Sequence, residues 1–189
     1  NEISEVLIVV GYKQEMIREF LGDEFQDKKV TYIIQLEPLG TAHALELCKP
    51  YLENEEKFLL IYADDLHDRR GVARCVEHEN AILVSFVDDP RRFGVVVANE
   101  NGTIKDIEEK PEHPKSNLAV VGVYVLTPKI FAYKVSTAHN GEYYLTDMIE
   151  QYIKDHPVYI VESDFWVPIA YPHDIEHAEN ILRGAEFLN

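Results

Sequence analysis

Basic residues are scarce. Lys and Arg total 18 against 34 Asp and Glu, a formal charge of −16 over 189 residues. Such a chain cannot line a phosphate backbone with cations, so nucleic acid is excluded as a partner, and any phosphate it binds must be met by a local ammonium or guanidinium. Cysteine is nearly absent too. Cys48 and Cys75 sit in apolar helical patterns and form no CxxC, which gives no support for a disulfide framework or zinc cluster and points to two reduced thiols in a cytoplasmic protein. No apolar run reaches the roughly 18 residues of a bilayer span, and Asn1-Glu2-Ile3-Ser4-Glu5 is acidic, without signal-peptide character. We therefore expect no membrane partner. Repeats, low-complexity tracts and linkers are also lacking, so residues 1–189 read as one domain, and 46% hydrophobic content suffices for a buried core.

What is there alternates between two periodicities. Apolar runs at residues 6–10, 30–34, 58–62 and 81–86 read as strands; amphipathic runs at 13–21, 41–52 and 71–78 read as helices. In the first helix Met16, Ile17 and Phe20 share one face, and in the second Ala42, Ala44, Leu45 and Cys48 point inward. Alternation of this kind predicts an α/β fold with a Rossmann-like, mostly parallel mixed sheet flanked by helices. The second half changes character. Strands at 94–98, 104–107 and 118–125 are separated by turns such as Asn99-Glu100-Asn101-Gly102 and predict antiparallel additions. Helices are expected at 128–133, 144–154 and 174–182, and a short strand at 158–161. The strand at 6–10 is apolar on both faces and needs neighbours on both sides, although only five residues precede it.

Ligands of open α/β sheets sit at the carboxyl ends of strands, which directs attention to three segments. In the first, Gln35 ends a strand and Pro38-Leu39-Gly40-Thr41 opens a helix. A Gln there can donate to and accept from a base edge, Gly40 permits close approach, and a helix start offers free N–H groups; an ordinary βα turn has the same composition. The second, Tyr62-Ala63-Asp64-Asp65, carries paired carboxylates suited to a divalent cation shared with substrate phosphates. Asp64 is the metal candidate, and Asp65 is expected to cap the following turn. The third is Phe93-Gly94-Val95-Val96 with Glu108-Glu109-Lys110-Pro111. A carboxylate accepts from sugar hydroxyls and an ammonium meets a phosphate, yet neighbours on a strand point to opposite faces and need not reach the same part of a ligand.

Together these segments resemble the sugar-1-phosphate nucleotidyltransferases, the thymidylyl-, uridylyl- and related transferases acting on glucose-1-phosphate and similar sugars. The likeness runs from about Val6 to Leu182. It rests on Val9-Val10-Gly11-Tyr12, on Gln35 with Pro38-Leu39-Gly40-Thr41-Ala42-His43-Ala44, on Ala63-Asp64-Asp65 and on Phe93-Gly94-Val95-Val96. Glu109-Lys110-Pro111, Gly122-Val123-Tyr124, Gly141-Glu142 with Thr146-Asp147, and Trp166 with Pro172 complete it. The resemblance implies transfer of a nucleotidyl group from a nucleoside triphosphate to a sugar-1-phosphate with Mg²⁺ as cofactor. It implies a nucleotide-binding half at 1–90 with Gln35, Gly40 and Thr41, and a sugar-phosphate half at 91–189 with Gly94, Glu109, Lys110, Gly122 and Glu142. Asp64 and Lys110 would be the catalytic residues, Asp64 also holding the metal.

Two departures from the family pattern accompany this likeness. The family's Gly-rich loop ending in Gly-Thr-Arg is not found before Asn1, so the fold is expected to be incomplete at its amino end or to have lost its triphosphate grip. In Trp166-Val167-Pro168-Ile169-Ala170-Tyr171-Pro172, Pro168 stands where the second metal carboxylate belongs, and a pyrrolidine cannot ligate a cation. Ala63 likewise replaces the glycine before the metal Asp. Asp164 and Asp174 are candidate substitutes for the lost carboxylate. These changes predict weak or lost activity, with a non-catalytic sugar-phosphate-binding relative as the alternative and a homo-oligomer or paralogue pairing as a way to complete the sheet. His173 and His177 are spaced for a shared metal but suggest no third ligand, and Arg91-Arg92 stand ready for either a phosphate or the adjacent Asp88-Asp89.

Overall fold

The computed structural model describes residues 3–134, 137–138, 140–169 and 171–186; Asn1, Glu2 and Ala170, named above, lie outside them. Chain order runs β1 (Glu5–Val10), α1 (Gln14–Leu21), β2 (Glu24–Phe25), β3 (Lys28–Ile34), α2 (Thr41–Leu52), β4 (Phe58–Ile61), β5 (Asp65–His67) and α3 (Arg69–Val76). It continues with β6 (Ala81–Phe86), β7 (Gly94–Ala98), β8 (Ile104–Glu109), β9 (Leu118–Leu126), α4 (Leu145–Tyr152), β10 (Tyr159–Glu162), β11 (Trp166–Pro168) and α5 (Pro172–Glu186). The 128–133 segment is a 3₁₀ turn over Pro128–Ala132.

β9 organises the largest sheet. Along one edge it pairs with β6; the other edge is shared by β7 near Leu118 and β4 from Val123 to Leu126. Its residues are buried on both faces in period two. Val120, Tyr124 and Leu126 pack with Ile82, Val84 and the inward residues of α2 and α4, while Val121, Val123 and Val125 pack with Leu83 and Cys75 of α3. This explains why 118–126 reads as a near-continuous apolar run. Burying each such side chain is worth roughly 1.5–3 kcal/mol, so the β6–β9 centre is where the fold is anchored.

The mixed α/β architecture is as expected, but parallel pairing is a minority. Among the described residues only β1 with β3 and β6 with β10 are parallel, against six antiparallel pairs. Short turns such as that joining β7 to β8 can only reverse the chain, and β9 runs against all three of its neighbours. In α1 no residue is buried, and Met16 and Phe20 are 61% and 87% exposed, so the face that Met16, Ile17 and Phe20 share is uncovered. β1, β3 and β2 form a separate three-stranded sheet, in that order, in which only Val10, Val30 and Ile33 are buried. Among the described residues no helix is long and apolar enough to cross a membrane.

Candidate functional site

The polar residues singled out above gather beside the junction of β4, β7 and β9. β4 ends at Ile61, and the next residue, Tyr62, turns its ring under Gly122 of β9, with its backbone N–H donating to the Gly122 carbonyl at 2.8 Å. The Tyr62 ring packs against that of Tyr124, with ring centres 5.9 Å apart. Burial pushes the Tyr62 phenol up, and the negative charges of Glu109 and Asp64 add to that rise. Tyr62 therefore stands in the field of both carboxylates, one from each side of the site. Sequence reasoning missed it; an aromatic hydroxyl just before the Asp pair was its only signal.

In the second half of the chain, Glu109 ends β8 opposite Gly94 of β7. Its Oε2 accepts from the Thr146 hydroxyl at 2.8 Å and its Oε1 lies 3.5 Å from Lys110 Nζ. Lys110 takes φ +44°, its N–H donating to the Phe93 carbonyl at 2.9 Å, so the strand alternation breaks here and both side chains converge. The expectation of opposite faces is thus corrected by one left-handed residue. Glu142 joins through Asn140, whose Nδ2 donates to Glu142 Oε2 at 2.8 Å and to the Tyr144 hydroxyl at 2.6 Å.

On the other side, the turn before α2 is zippered to the segment before α4. Tyr143 N–H donates to Leu39, Ala42 N–H donates to Tyr143, and Leu145 N–H donates to Thr41 Oγ1 at 2.9 Å. Gly40 has φ +96°, and a Cβ there would fall 2.5 Å from the Tyr143 carbonyl oxygen, so glycine is demanded by this crossing of backbones. Gln35 Nε2 donates to the Gly40 carbonyl at 3.2 Å and lies 2.9 Å from His43 Nδ1. That leaves its carbonyl oxygen, which no described residue meets with a hydrogen bond, for a ligand donor.

Asp64 is exposed, and no described residue donates a hydrogen bond to it. Asp65 does not cap a turn. It opens β5, and its carboxylate accepts from Trp166 Nε1 at 2.8 Å and from Ile169 N–H at 3.3 Å, tying β5 to β11. Capping is done by Asp68, which accepts from Arg70 and Gly71 at the start of α3. Pro168 pairs in register with Asp65, the residue after Asp64. Asp164 is engaged elsewhere, 3.6 Å from Arg74, and Asp174 accepts from Tyr171 N–H at the start of α5. Among the described residues no group of three His, Cys, Asp or Glu is placed to hold a metal. Arg91 is bound to Asp89 at 2.7 Å.

One acid near the site is held out of its ordinary range. Burial, then the charges of Glu109 and Glu150, push the Asp147 carboxyl up. A raised acid pKa means the folded state binds the proton more tightly, so the contribution of this group to stability is largest at low pH and is lost as pH rises through the raised value. Asp147→Asn is expected to raise Tm at pH 7, with the gain shrinking toward about pH 4, where the unfolded carboxyl also protonates; thermal melts across that range check it.

The nucleotidyl transferase family model matches residues 1–183. UTP–glucose-1-phosphate uridylyltransferase AglF of Haloferax volcanii is 34% identical over 95% of this chain and 77% of its own length. The bifunctional protein GlmU of Methanococcus maripaludis is 30% identical over the full chain, which spans 44% of that protein's length. Other curated relatives are likewise spanned over only about half their length, at 53% and 43%. In three dimensions a Bacillus anthracis protein named for glucose-1-phosphate thymidylyl transfer and solved with sucrose superposes with a TM-score of 0.80 at 29% identity, over 96% of this chain and 77% of that one. With the family match running through nearly every element, this chain belongs to the nucleotidyl transferase family.

Proposed function

We propose that the protein transfers a nucleotidyl group from a nucleoside triphosphate to a sugar-1-phosphate. The observation that carries this reading is the convergence of Glu109 and Lys110, an acid for hydroxyls and an amine for phosphate, next to a tyrosine that also senses Asp64. A phosphate oxygen of the sugar-1-phosphate attacks the α-phosphorus in line. The bond from that phosphorus to its bridging oxygen breaks, and pyrophosphate leaves with the electron pair. Lys110 holds the sugar phosphate, Glu109, Gly94, Gly122 and Glu142 border the sugar, and Gln35, Gly40 and Thr41 border the base. Residues 1–90 form the nucleotide half and 91–189 the sugar-phosphate half, joined across their boundary by the packing of Tyr62 on Tyr124 and by the Leu145 N–H bond to Thr41. No covalent intermediate is needed, because positioning and charge neutralisation lower the barrier.

For a divalent cation the described residues offer one free carboxylate, Asp64, with Pro168 paired to the residue after it. That set fits Mg²⁺ held chiefly by substrate phosphates and water, and does not fit a resident ion caged by protein. When bound, the ion neutralises phosphate charge. Two buried free thiols, Cys48 and Cys75, pushed up by burial to about 11 and about 12, suit a reducing cytoplasm.

Pyrophosphate release with Mg²⁺, a panel of nucleoside triphosphates and a panel of hexose 1-phosphates tests the reaction. Turnover by the chain supports it. Retained sugar-phosphate binding without turnover favours the non-catalytic reading, for which the single carboxylate argues. Asp64→Asn is expected to cut Mg²⁺-dependent nucleotide binding about tenfold with an unchanged melting curve; an unaltered Mg²⁺ titration removes Asp64 from the site.

A further inference from the structure

Glu109 and Lys110 serve one ligand only if something keeps both aimed at it. The left-handed turn at Lys110 brings them to the same side, and that conformation is strained for a residue with a side chain. The partners that hold the pair come from a single stretch at the start of α4. Thr146, 4% exposed, donates its hydroxyl to Glu109 Oε2. Two residues earlier, the Tyr144 ring lies beneath the Lys110 ammonium, 4.8 Å from Nζ to the ring centre. That ring is itself held by Asn140 at its hydroxyl. Gly94 leaves the room for this arrangement, since a Cβ there would come within 2.6 Å of Thr146 Cγ2 and 3.3 Å of Glu109 Oε2.

Building on the sugar-1-phosphate site proposed above, we infer that Thr146 and Tyr144 are positioning residues for the Glu109–Lys110 pair. Thr146 occupies one carboxylate oxygen and so turns the other, Oε1, toward sugar hydroxyls. Tyr144 seats the ammonium on its electron-rich face. The separation supports this role: Lys110 Nζ stands 3.5 Å from Glu109 Oε1, well beyond the roughly 2.8 Å of a closed charge-assisted bond. Without the ring, the ammonium would collapse onto the nearest carboxylate and be spent there instead of on a phosphate.

The test is calorimetric titration of the full chain with hexose 1-phosphates and, separately, with nucleoside triphosphate. Thr146→Val keeps the shape but not the donor and is expected to weaken sugar-1-phosphate binding about tenfold. Tyr144→Leu is expected to weaken it about threefold. Nucleotide affinity stays unchanged in both, which a general structural defect would not allow. Thr146→Ser and Tyr144→Phe restore most of the loss, because they keep the hydroxyl and the ring. In a Glu109→Gln background the Thr146→Val effect disappears, and in a Lys110→Met background the Tyr144→Leu effect disappears. Wild-type affinity in the single variants, or full effects persisting in the double variants, overturns the inference and leaves the sugar-phosphate site standing. Failure of the unaltered chain to bind any hexose 1-phosphate overturns that site and the inference together.

Discussion

Lys110→Met is expected to weaken sugar-1-phosphate binding about a hundredfold, a loss of about 3 kcal/mol, with nucleotide binding unaffected. Methionine keeps the length and apolar stem of the side chain and removes only the ammonium. In a chain of formal charge −16, a doubly charged phosphate has no general field to draw it in, so the local cation carries almost the whole attraction. Arg91 cannot take over, because its guanidinium is already closed on Asp89 at 2.7 Å. The conservative change Lys110→Arg is expected to recover only part of the affinity, since a planar fork does not sit on the Tyr144 ring beside Glu109 as a compact ammonium does. Titration with a hexose 1-phosphate reads both variants, and near-wild-type affinity in Lys110→Met would remove this residue from the phosphate site.

Gly122→Ala is expected to cost about 3 kcal/mol and to lower Tm by roughly 10 °C. Two penalties add. Gly122 has φ +76°, a region that costs an L-residue about 1–2 kcal/mol. The new methyl would also lie 2.6, 2.7 and 2.8 Å from Cδ2, Cγ and Cβ of Tyr62. Rotating the tyrosine clears its ring but not its Cβ, and the Tyr62 N–H to Gly122 carbonyl bond keeps the two backbones together. The position lies where β9 passes from its pairing with β7 to its pairing with β4, opposite the register shift between Ile82 and Val84 of β6. Relief therefore has to come from the sheet itself, which is buried on both faces there. A thermal melt matching wild type would show that the β4–β9 junction yields more easily than its packing suggests. The same substitution at Gly102, also at positive φ but with open space where the Cβ would go, isolates the backbone penalty.

The periodicities of the chain were sufficient for most elements. The apolar runs at Ala81–Phe86 and Leu118–Leu126 have no arrangement cheaper than a sheet covered on both faces, and the structure buries Ala81–Val84 and Ala119–Leu126. Local pattern was also enough to nominate Gln35, Asp64, Glu109 and Lys110, because amide, carboxylate and ammonium just past strand ends are chemically distinctive. It was insufficient for β5 and β11, three residues each, whose pairing depends on an Asp65–Trp166 hydrogen bond across 101 positions. Pairing direction was equally hidden, since an apolar strand reads the same whichever way its neighbour runs.

Composition and spacing by themselves determined that this is an acidic α/β protein whose few cations can meet an anion only locally. They also directed attention to the polar residues just past strand ends. Only the tertiary structure decided that α1 shows its apolar face, that Asp65 ties strands together, and that one left-handed lysine brings the Glu109 and Lys110 side chains together. The reason is that side-chain periodicity is a local property of the backbone, whereas convergence on a site depends on a single dihedral angle and on which distant partner supplies the balancing hydrogen bond.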